Sequence, residues 1–429
     1  MGGESFNVMP SAEKNIIIIG AGLSGLSAAH ELSKRHVPFL LLEAQQQIGG
    51  RLKTELVGGF KLNNGFQVLQ TAYPEARRLL EFDRLQLNYF APGAIVRVQG
   101  KFYRISDPLR RPGDLWQTLR APIGSLSDRF RIMRLAGNVR KTSVSTIFSS
   151  PDMATIDYLR SEGFSEKMIH RFFRPFFAGV SLDPDIAASS RVFRYIYHVF
   201  AEGDVAIPND GMQAIAQQIS EDLPQERIRT GARVASIADR EVVLVDGERL
   251  EARTIIIATE GPETFRLLGL DAPVASRGEW CLYFSAKTPP ISDPFLILNG
   301  EGSGWVNSVT VPSVVAPSYA PAGRHLVSVV VVGYLHENQA TIEKRVRREL
   351  SDWFGTEVAK WDLIQTQRIT HALPDQPPPM PDPMNRAARV KPGIYVCGEY
   401  QSVPGIQWAL LSGYQAAQQI IEDIDRSAV

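Results

Sequence analysis

Three glycines near the start of the chain have the spacing of a phosphate-binding turn. Gly20, Gly22 and Gly25 form G-x-G-x-x-G directly after the apolar run 16–19. The first glycine permits a tight turn, the second lets a pyrophosphate approach the bare backbone, and the third lets the next helix lie close to the strand. Free N–H groups and the dipole at the helix N-terminus then bind phosphate without a basic side chain. The predicted contacts in this turn are Gly20, Gly22, Leu23, Ser24 and Gly25.

An acidic residue follows this turn at the distance that a dinucleotide site requires. Glu43 ends the second apolar run 39–42, and an acid about 20 residues after the glycines accepts hydrogen bonds from an adenosine ribose. Two parallel strands buried on both faces, joined by an amphipathic helix over 23–35, would position these groups. The order of strand, glycine turn, helix, strand and acid favours a dinucleotide-binding unit over an ordinary helix entry rich in small residues.

A glycine pair and an arginine, Gly49-Gly50-Arg51, follow Glu43, and the stretch GGFKLNNGFQVL lies at 58–69. With these motifs the chain resembles the flavin-dependent amine oxidase and phytoene desaturase superfamily, whose dinucleotide is FAD. Asn63 stands where many members have aspartate, and an amide offers hydrogen bonds without charge. The resemblance implies FAD as the cofactor and adds these residues to its site: Ala44, Gly50, Arg51, Leu52, Asn64, Gly65, Phe66 and Gln67.

The resemblance also assigns roles to two later segments. It implies that the backbone near Val234 lies against adenine and that the strand ending at Ala258-Thr259 passes the cofactor. In the C-terminal signature, the acid of Gly398-Glu399 bonds a ribityl hydroxyl. A helix N-terminus at the flavin pyrimidine would stabilise the negative charge that reduced flavin gathers. The N–H groups implied to point there belong to Gly405, Ile406 and Gln407.

The length of 429 residues exceeds one hydrophobic core and predicts two domains. The predicted fold class is α/β, with a doubly wound, Rossmann-type FAD-binding domain and an inserted α+β substrate domain. Residues 73–200 show a mainly helical pattern, and strands are predicted at 280–284 and 326–332. Residues 1–13 lack the apolar core of a signal peptide and are predicted to be a flexible tail. The FAD-binding domain is assigned to 14–72, 205–262 and 387–429, and the substrate domain to 73–204 and 263–386.

Charge and cysteine content narrow the partners and the compartment. Lys plus Arg equals Asp plus Glu at 46 each, which argues against a nucleic-acid partner. Two cysteines, Cys281 and Cys397, are too few for a disulfide framework and fit the cytoplasm. The segment 108–141 holds eight basic residues with interspersed apolar ones, a pattern of either a solvated helical face or peripheral contact with an anionic membrane.

Three functions compatible with a flavin compete. The first is oxidation or desaturation of a lipophilic, isoprenoid- or carotenoid-like substrate by hydride transfer to flavin N5, which needs positioning more than acid–base groups. The second is an amine oxidase that forms an imine. Amine oxidases commonly place an aromatic where this chain has Pro404-Gly405-Ile406, and Lys287 would have to supply the lysine that holds a water near N5. The third is a non-catalytic flavin-binding protein, because cofactor motifs indicate binding and not turnover.

No catalytic or metal-ligating residue is assigned from the sequence. The histidines show neither a triad arrangement nor metal-ligand spacing, and each is interpreted as a structural or surface residue. The phenylalanines at 172, 173, 176 and 177 are interpreted as core, with an apolar tunnel as the alternative. The sequence does not determine the substrate, the electron acceptor or the oligomeric state. It also leaves open whether the flavin acts in an isomerisation without net redox change. The histidines are His30, His36, His170, His198, His325, His336 and His371.

Overall fold

The computed structural model describes residues 16–106, 110–271 and 275–427. The predicted N-terminal tail, 1–13, lies outside these residues. Strands and helices are numbered here in chain order. The helices are α1 Leu23–Lys34, α2 Pro74–Leu79, α3 Phe82–Leu85, α4 Leu115–Arg120, α5 Leu126–Lys141, α6 Val144–Ser149, α7 Thr155–Ser161, α8 Glu166–Met168, α9 Arg174–Ser181, α10 Ser190–Glu202, α11 Gln213–Glu221, α12 Gly261–Leu268, α13 Pro312–Val315, α14 Gln339–Phe354 and α15 Ile406–Ser427.

A central sheet is built from strands that lie far apart in the chain. Its neighbours pair in parallel except at the last pair, which is antiparallel. Strands from the first, the second and the third segment assigned to the FAD-binding domain meet in this one sheet. In spatial order the strands are β10 Ile228–Arg229, β2 Leu40–Leu42, β1 Ile16–Ile19, β14 Thr254–Ile257, β21 Ile394–Val396 and β20 Arg389–Lys391.

The central strands are buried on both faces, as their continuous apolar runs predict. Ile16 and Ile18 pack in the cluster that contains the apolar residues of α1 and α15, whereas Ile17 and Ile19 pack towards a small antiparallel sheet. The Rossmann-type prediction is confirmed, and the layer on the second face is formed largely by that antiparallel sheet. Its strands are β11 Val234–Ala238, β12 Glu241–Leu244 and β13 Arg249–Glu251.

A second large sheet lies beside this unit and is mixed. One face packs against α14 through Trp280, Leu282 and Phe284, and the other faces the core that holds α9 and α10. Only β7 and β16 pair in parallel. The order is β19 Asp362–Pro374, β15 Ser276–Ala286, β18 His325–Val332, β17 Val306–Thr310, β16 Leu296–Asn299, β7 Gly93–Val98 and β8 Lys101–Ser106.

The mainly helical pattern predicted for 73–200 omits a hairpin. β7 and β8 are joined by a tight turn at Gln99-Gly100, and both residues have a positive φ (52° and 73°). The turn is hard to recognise in the sequence because its first residue is not glycine, asparagine or aspartate.

Smaller sheets and short helices complete the described fold. One small sheet pairs β3 Thr54–Val57 with β4 Phe60–Asn63, and another has the order β5 Leu69–Gln70, β9 Val205–Ile207 and β6 Asn88–Tyr89. A π-helix covers Ile169–Phe173. The 3₁₀ helices are Pro112–Asp114, Gln225–Arg227, Pro317–Tyr319, Gly355–Lys360 and Glu399–Gln401.

Candidate functional site

The carboxyl ends of four parallel strands meet at one edge of the central sheet. Gly20 N donates to Leu42 O at 2.7 Å, and Ala258 N donates to Ile19 O at 2.8 Å. Cys397 N donates to Ile257 O at 3.0 Å, which brings the C-terminal motif to the same edge. Ligands of open α/β sheets bind outside this edge. The predicted residues of the glycine turn, of 43–44, of 258–259 and of 398–399 therefore lie together.

The glycine turn is as tight as its spacing predicts. Gly20 has φ +105°, and a Cβ there would lie 2.8 Å from Ala258 O. A Cβ on Gly25 would lie 1.9 Å from Gly20 O, so only glycine lets α1 begin this close to β1. Gly22 is the N-cap of α1 and supplies no side-chain cap, and the first turn of α1 has no acidic residue. The first N–H groups of α1 thus face the sheet edge without an anionic side chain of their own helix.

Glu43 stabilises the glycine turn through hydrogen bonds to the backbone. Its Oε2 accepts from Ala21 N at 2.9 Å and its Oε1 accepts from Gln45 N at 2.9 Å. The side chain is buried, and Ala44 beside it is half-buried. A buried carboxylate that accepts two backbone N–H bonds is held in a fixed position. Glu43 therefore lies at the end of β2 with its charge directed at the glycine turn.

The second glycine motif packs against the first. Gly49 N donates to Ala21 O at 2.9 Å, and a Cβ on Gly50 would lie 3.1 Å from the Cα of Gly22. Neither Gly22 nor Gly50 has a side chain, so the two backbone segments can lie this close together. Leu52, two residues after Gly50, is buried. Arg51 Nη1 forms a short ion pair with Glu399, and its Nε donates to His371 O at 3.0 Å.

The C-terminal motif connects strand β21 to helix α15. Glu399 accepts a second hydrogen bond from Gly405 N at 2.9 Å, and Gly398 N donates to Ser412 Oγ at 2.9 Å. The N–H of Gly405, which the resemblance directs at the flavin, is paired with Glu399 in this structure. Ile406 is buried at the start of α15, and the Gln407 side chain accepts from Glu75 N at 2.8 Å.

The loop that follows β4 is held by the second sheet. Gln367 Oε1 accepts from Gly65 N at 3.1 Å, and Glu279 Oε1 accepts from Phe66 N at 3.3 Å. The hydroxyl of Tyr283 donates to Asn63 O at 2.6 Å. Three side chains of β15 and β19 thus fix the backbone of the loop 63–67, which includes the predicted residue Asn64.

Three other predicted positions have different surroundings. Val234 begins β11, packs against the central sheet and accepts at its carbonyl from Arg266 Nη2 at 3.2 Å. Thr259 Oγ1 lies 2.8 Å from Thr264 Oγ1 at the entry to α12. Gln67 donates from Nε2 to Arg51 O at 3.0 Å, while its Oε1 is buried without a partner. That oxygen is an acceptor that a ligand could satisfy.

Two cavities adjoin the site. The larger, about 240 Å³, lies at the junction of the two sheets and is lined by Arg51, Phe265, Arg386 and Tyr400 among others. The hydroxyl of Tyr400 and Nε of Arg386 are buried without a hydrogen-bond partner. The smaller, about 20 Å³, adjoins the loop 63–67. Its lining is Lys61, Asn63, Gly65, Phe66, Gln67, Phe90, Ile207, Tyr283, Pro312, Tyr319, Leu326 and Ser328.

Sequence reasoning missed the anchoring residues Glu279, Tyr283 and Gln367. A usable signal existed, because alternation along β15 places Glu279 and Tyr283 on one face of a strand whose centre is mainly apolar. Burial raises the pKa of Glu279 to about 8, although the Phe66 N–H lowers it in part. A buried carboxyl with a perturbed pKa beside a cavity marks a functional candidate.

Other candidates from the sequence fall outside the site. Lys287 is exposed after β15, as a surface lysine would be. Phe173 and Phe177 are fully buried, which supports the core interpretation, while Phe172 and Phe176 are half-buried and stacked with centroids 6.0 Å apart. Both cysteines are buried and free, and burial raises the pKa of Cys397 to about 12.

No helix within residues 16–106, 110–271 and 275–427 combines the length and apolarity needed to cross a bilayer. Within the same residues, no group of three or more His, Cys, Asp or Glu side chains is arranged to hold a metal ion.

Comparison with known proteins identifies the family. The family model for flavin containing amine oxidoreductase matches residues 23–421. The chain is 25% identical over 187 residues to protoporphyrinogen oxidase 2 of Arabidopsis thaliana, an alignment that covers 43% of this chain and 36% of that protein. It is 23% identical over 366 residues to phytoene dehydrogenase of Streptomyces griseus, covering 73% and 71%. Cyclohexylamine oxidase of Brevibacterium oxydans has the same fold, with a TM-score of 0.70 at 17% identity over 96% of this chain and 99% of that chain.

Proposed function

This chain belongs to the flavin containing amine oxidoreductase family, and from that premise we propose that it oxidises or desaturates a lipophilic, isoprenoid- or carotenoid-like small molecule. Family membership confirms the prediction of FAD as cofactor and of an oxidoreductase class. The substrate class is our proposal. The phytoene dehydrogenase and protoporphyrinogen oxidase relatives, whose names refer to lipophilic compounds, support it.

The residues present fit FAD. The glycine turn and the free N-terminus of α1 would hold the pyrophosphate, and Glu43 would face the adenosine ribose. Arg51 and Glu399 would contact the middle of the cofactor, and the loop 64–67 with the start of α15 would hold the ring system. The buried, unpartnered Gln67 Oε1 and the bare backbone between Gly22 and Gly50 are the observations that support this assignment.

The chain's own residues perform positioning and solvent exclusion. Bound FAD supplies an acceptor for a hydride. Phe66 and Phe90 pack edge to face with ring centroids 6.2 Å apart, and this apolar pair would help to exclude water from the ring site. The N-terminus of α15 places partial positive charge at the sheet edge, where it stabilises negative charge.

The two relatives whose names refer to lipophilic compounds carry the substrate class, and one side of the smaller cavity agrees with it. At about 20 Å³ this cavity has room for about one water molecule, so it is a gap beside the loop 63–67 and not the volume that holds the substrate. Phe66, Phe90, Ile207 and Leu326 give it an apolar wall beside the loop. The one lysine in the lining, Lys61, has its charge paired with Asp210 at 2.8 Å. Burial favours the neutral form of the nearby Glu279, whose pKa is raised to about 8, so it does not offer an anion to an ammonium group at pH 7. The side of this gap formed by Phe66 and Phe90 thus suits an apolar group better than a charged amine.

Anaerobic titration of the FAD-loaded protein tests the proposal. We expect isoprenoid and carotenoid-like compounds to bleach the oxidised flavin band, while primary amines and polyamines leave it unchanged. Bleaching by amines alone would establish the amine oxidase alternative. A bound flavin that dithionite reduces and no compound of either class bleaches would favour a non-catalytic flavin-binding role.

Substitution of Glu43 by Gln tests the FAD assignment. The neutral amide keeps the size of the side chain but removes the charge that accepts from Ala21 N and Gln45 N. Hydrogen bonds to charged groups contribute about 1.5–3 kcal/mol, so we expect FAD to bind roughly 10- to 100-fold more weakly. Quenching of flavin fluorescence by the apoprotein measures the Kd. The exposed Glu251→Gln, also in the nucleotide unit, is the control and should bind FAD as the wild type does; equal Kd values for both variants would remove Glu43 from the site.

The basic segment adds a membrane proposal. Residues 108–109 lie outside the described residues; the remainder contains α4 and α5. Leu126, Phe130 and Met133, which share one face of α5, are 75%, 64% and 58% exposed, and Trp116 of α4 is 70% exposed. The same segment carries the basic residues. Within its described residues, four of its arginines are paired with carboxylates, and Arg129 and Arg140 donate to backbone carbonyl groups and keep their charge without a carboxylate. The four pairs are Arg110–Asp204, Arg111–Asp114, Arg131–Asp128 and Arg134–Glu162. We propose that this face docks on an anionic lipid surface, where a lipophilic substrate would be collected.

Vesicle sedimentation tests the membrane proposal. We expect the protein to sediment with phosphatidylglycerol vesicles, to be released by salt, and to lose at least about tenfold in affinity on F130S/M133S, since burying one such side chain contributes about 1.5–3 kcal/mol. Leu56→Ser is the matched control, because Leu56 is equally exposed (73%) on β3, away from this face. Vesicle binding that is absent or insensitive to F130S/M133S would contradict the proposal; a dimer lost in the same variant would indicate a second copy as the occupant.

A further inference from the structure

Glu279 lies directly behind the loop that is assigned to the flavin ring. A Cβ on Gly65 would be 2.2 Å from Glu279 Oε1, so the carboxyl group fills the space that glycine leaves. Its hydrogen bond from Phe66 N ties it to the same loop. Only 6% of the residue is exposed. The contact joins residues that are 213 positions apart, one in the loop after β4 and the other in strand β15 of the second large sheet.

The surroundings of Glu279 contain little that could neutralise a charge. On its own strand, the same face carries Cys281 and Tyr283, whose pKa values burial raises, so both are neutral at pH 7. On β18 and β19 the residues paired with Glu279 are Val332 and Ile369.

The arginines nearest in the chain are engaged elsewhere. Arg277 is paired with Asp375 at 2.8 Å and with Asp183 at 3.7 Å. Arg368 lies over the ring of Trp280, on the opposite face of the sheet. An ionised Glu279 would therefore depend on the Phe66 N–H for stabilisation, and burial favours its neutral form.

We propose that Glu279 is a positioning residue that, in alkaline solution, couples reduction of the bound flavin to the uptake of one proton behind the loop 63–67. This inference rests on the proposed site for FAD. Negative charge on the reduced cofactor disfavours a carboxylate close to it, so the pKa of Glu279 rises on reduction. The two electrons come from the substrate; the proton comes from solvent and forms the O–H bond of the carboxyl group.

The direction with pH follows from this linkage. Below the pKa of Glu279, the carboxyl group is protonated in both redox states and takes up nothing. Above it, the group is ionised beside oxidised flavin and protonated beside reduced flavin, so reduction binds one proton. Below the pKa, the carboxyl group is neutral in both redox states, so it opposes reduction of the flavin less than a fixed carboxylate beside the loop 63–67 would.

The test measures the midpoint potential of the bound flavin against pH from 6 to 10. We expect the wild-type slope to steepen above about pH 8, the pKa of Glu279, by one proton per two electrons, and Glu279→Gln to lack this change of slope. Gln is an isostere of the neutral acid and retains the acceptor for Phe66 N. Glu349→Gln is the matched control, since Glu349 is also shielded and has a raised pKa but contacts Trp305 and Val306; it should retain the wild-type slope.

Infrared spectra of the apoprotein separate this inference from the proposed function. The protonated-carboxyl band of Glu279 should be present at pH 6, disappear as the pH rises past about 8, and be missing in Glu279→Gln. If the apoprotein shows this band but binds no FAD, the proposed FAD site is refuted, while the protonated, buried state of Glu279 is established. Bound FAD with the same potential slope in wild type and Glu279→Gln would overturn the coupling.

Discussion

Substitution of Gly413 by Ala is expected to destabilise the protein by about 3 kcal/mol or more and to weaken FAD binding. A Cβ at this position of α15 would lie 2.0 Å from Ser24 O and 3.0 Å from the Cβ of Ser27, both in α1. The clash is with backbone, so one helix has to move, and overpacking of this kind costs about 1–3 kcal/mol or more. Ser27 Oγ also donates to Leu410 O at 2.7 Å, a hydrogen bond that the same displacement would break.

The effect on FAD follows from what the two helices carry. α1 begins at the glycine turn, and α15 begins at Ile406, beside Glu399 and Gly405. Separating the helices therefore displaces both ends of the proposed cofactor site. Urea unfolding of the apoprotein measures the loss of stability, and flavin fluorescence measures the Kd.

Gly137→Ala is the matched control for this substitution. Gly137 also lies inside a helix, α5, but a Cβ there would meet nothing within 4 Å. Replacing a helical glycine in open space by alanine stabilises by roughly 0.5–1 kcal/mol. The two glycine-to-alanine changes should therefore have opposite signs. If Gly413→Ala left stability and FAD affinity unchanged, the close packing of α1 on α15 would not be required for either.

The parts of the site that could be predicted are those encoded by local patterns. The glycines of 20–25, the acid Glu43 and the Gly398-Glu399 turn each follow an apolar strand directly, and parallel strands bring such positions to one edge. The structure places them there. Gly413 marks the place where a small residue of α15 lets α1 pack closely against it.

The parts that could not be predicted depend on contacts between distant segments. β7 pairs with β16, about two hundred residues later in the chain, and nothing near Gly93–Val98 indicates that partner. The anchoring of Phe66 by Glu279 spans 213 positions. A glutamate in an apolar strand is a local inconsistency, and such inconsistencies are expected at functional sites. Alternation along β15 could place Glu279 on a face but could not identify the loop that covers it.

Replacement of Glu279 by Gln is expected to change how stability depends on pH. The pKa of Glu279 is raised from 4.5 to about 8 in the folded protein because the side chain is buried. Between these values the folded state retains a proton that the unfolded state has released, so wild-type stability falls as pH rises from 4.5 to about 8 and is level above. Glu279→Gln lacks this dependence. At 1.36 kcal/mol per pKa unit, the variant should gain on the order of 4 kcal/mol relative to wild type between pH 4.5 and 8.

Urea unfolding of the apoprotein at a series of pH values measures the difference in stability between the variant and wild type. The informative result is how this difference changes with pH. The amide of Gln adds donors whose burial has a cost of its own, but that cost is the same at every pH. Tyr283→Phe is the control, because it removes a hydrogen bond to the same loop from the same face of β15, and the pKa of Tyr283 is raised well above 10. Its destabilisation should be constant from pH 4.5 to 8. If the difference in the free energy of unfolding between Glu279→Gln and wild type were equally constant with pH, Glu279 would be ionised in the folded protein. A neutral carboxyl group beside the loop 63–67 would then be ruled out.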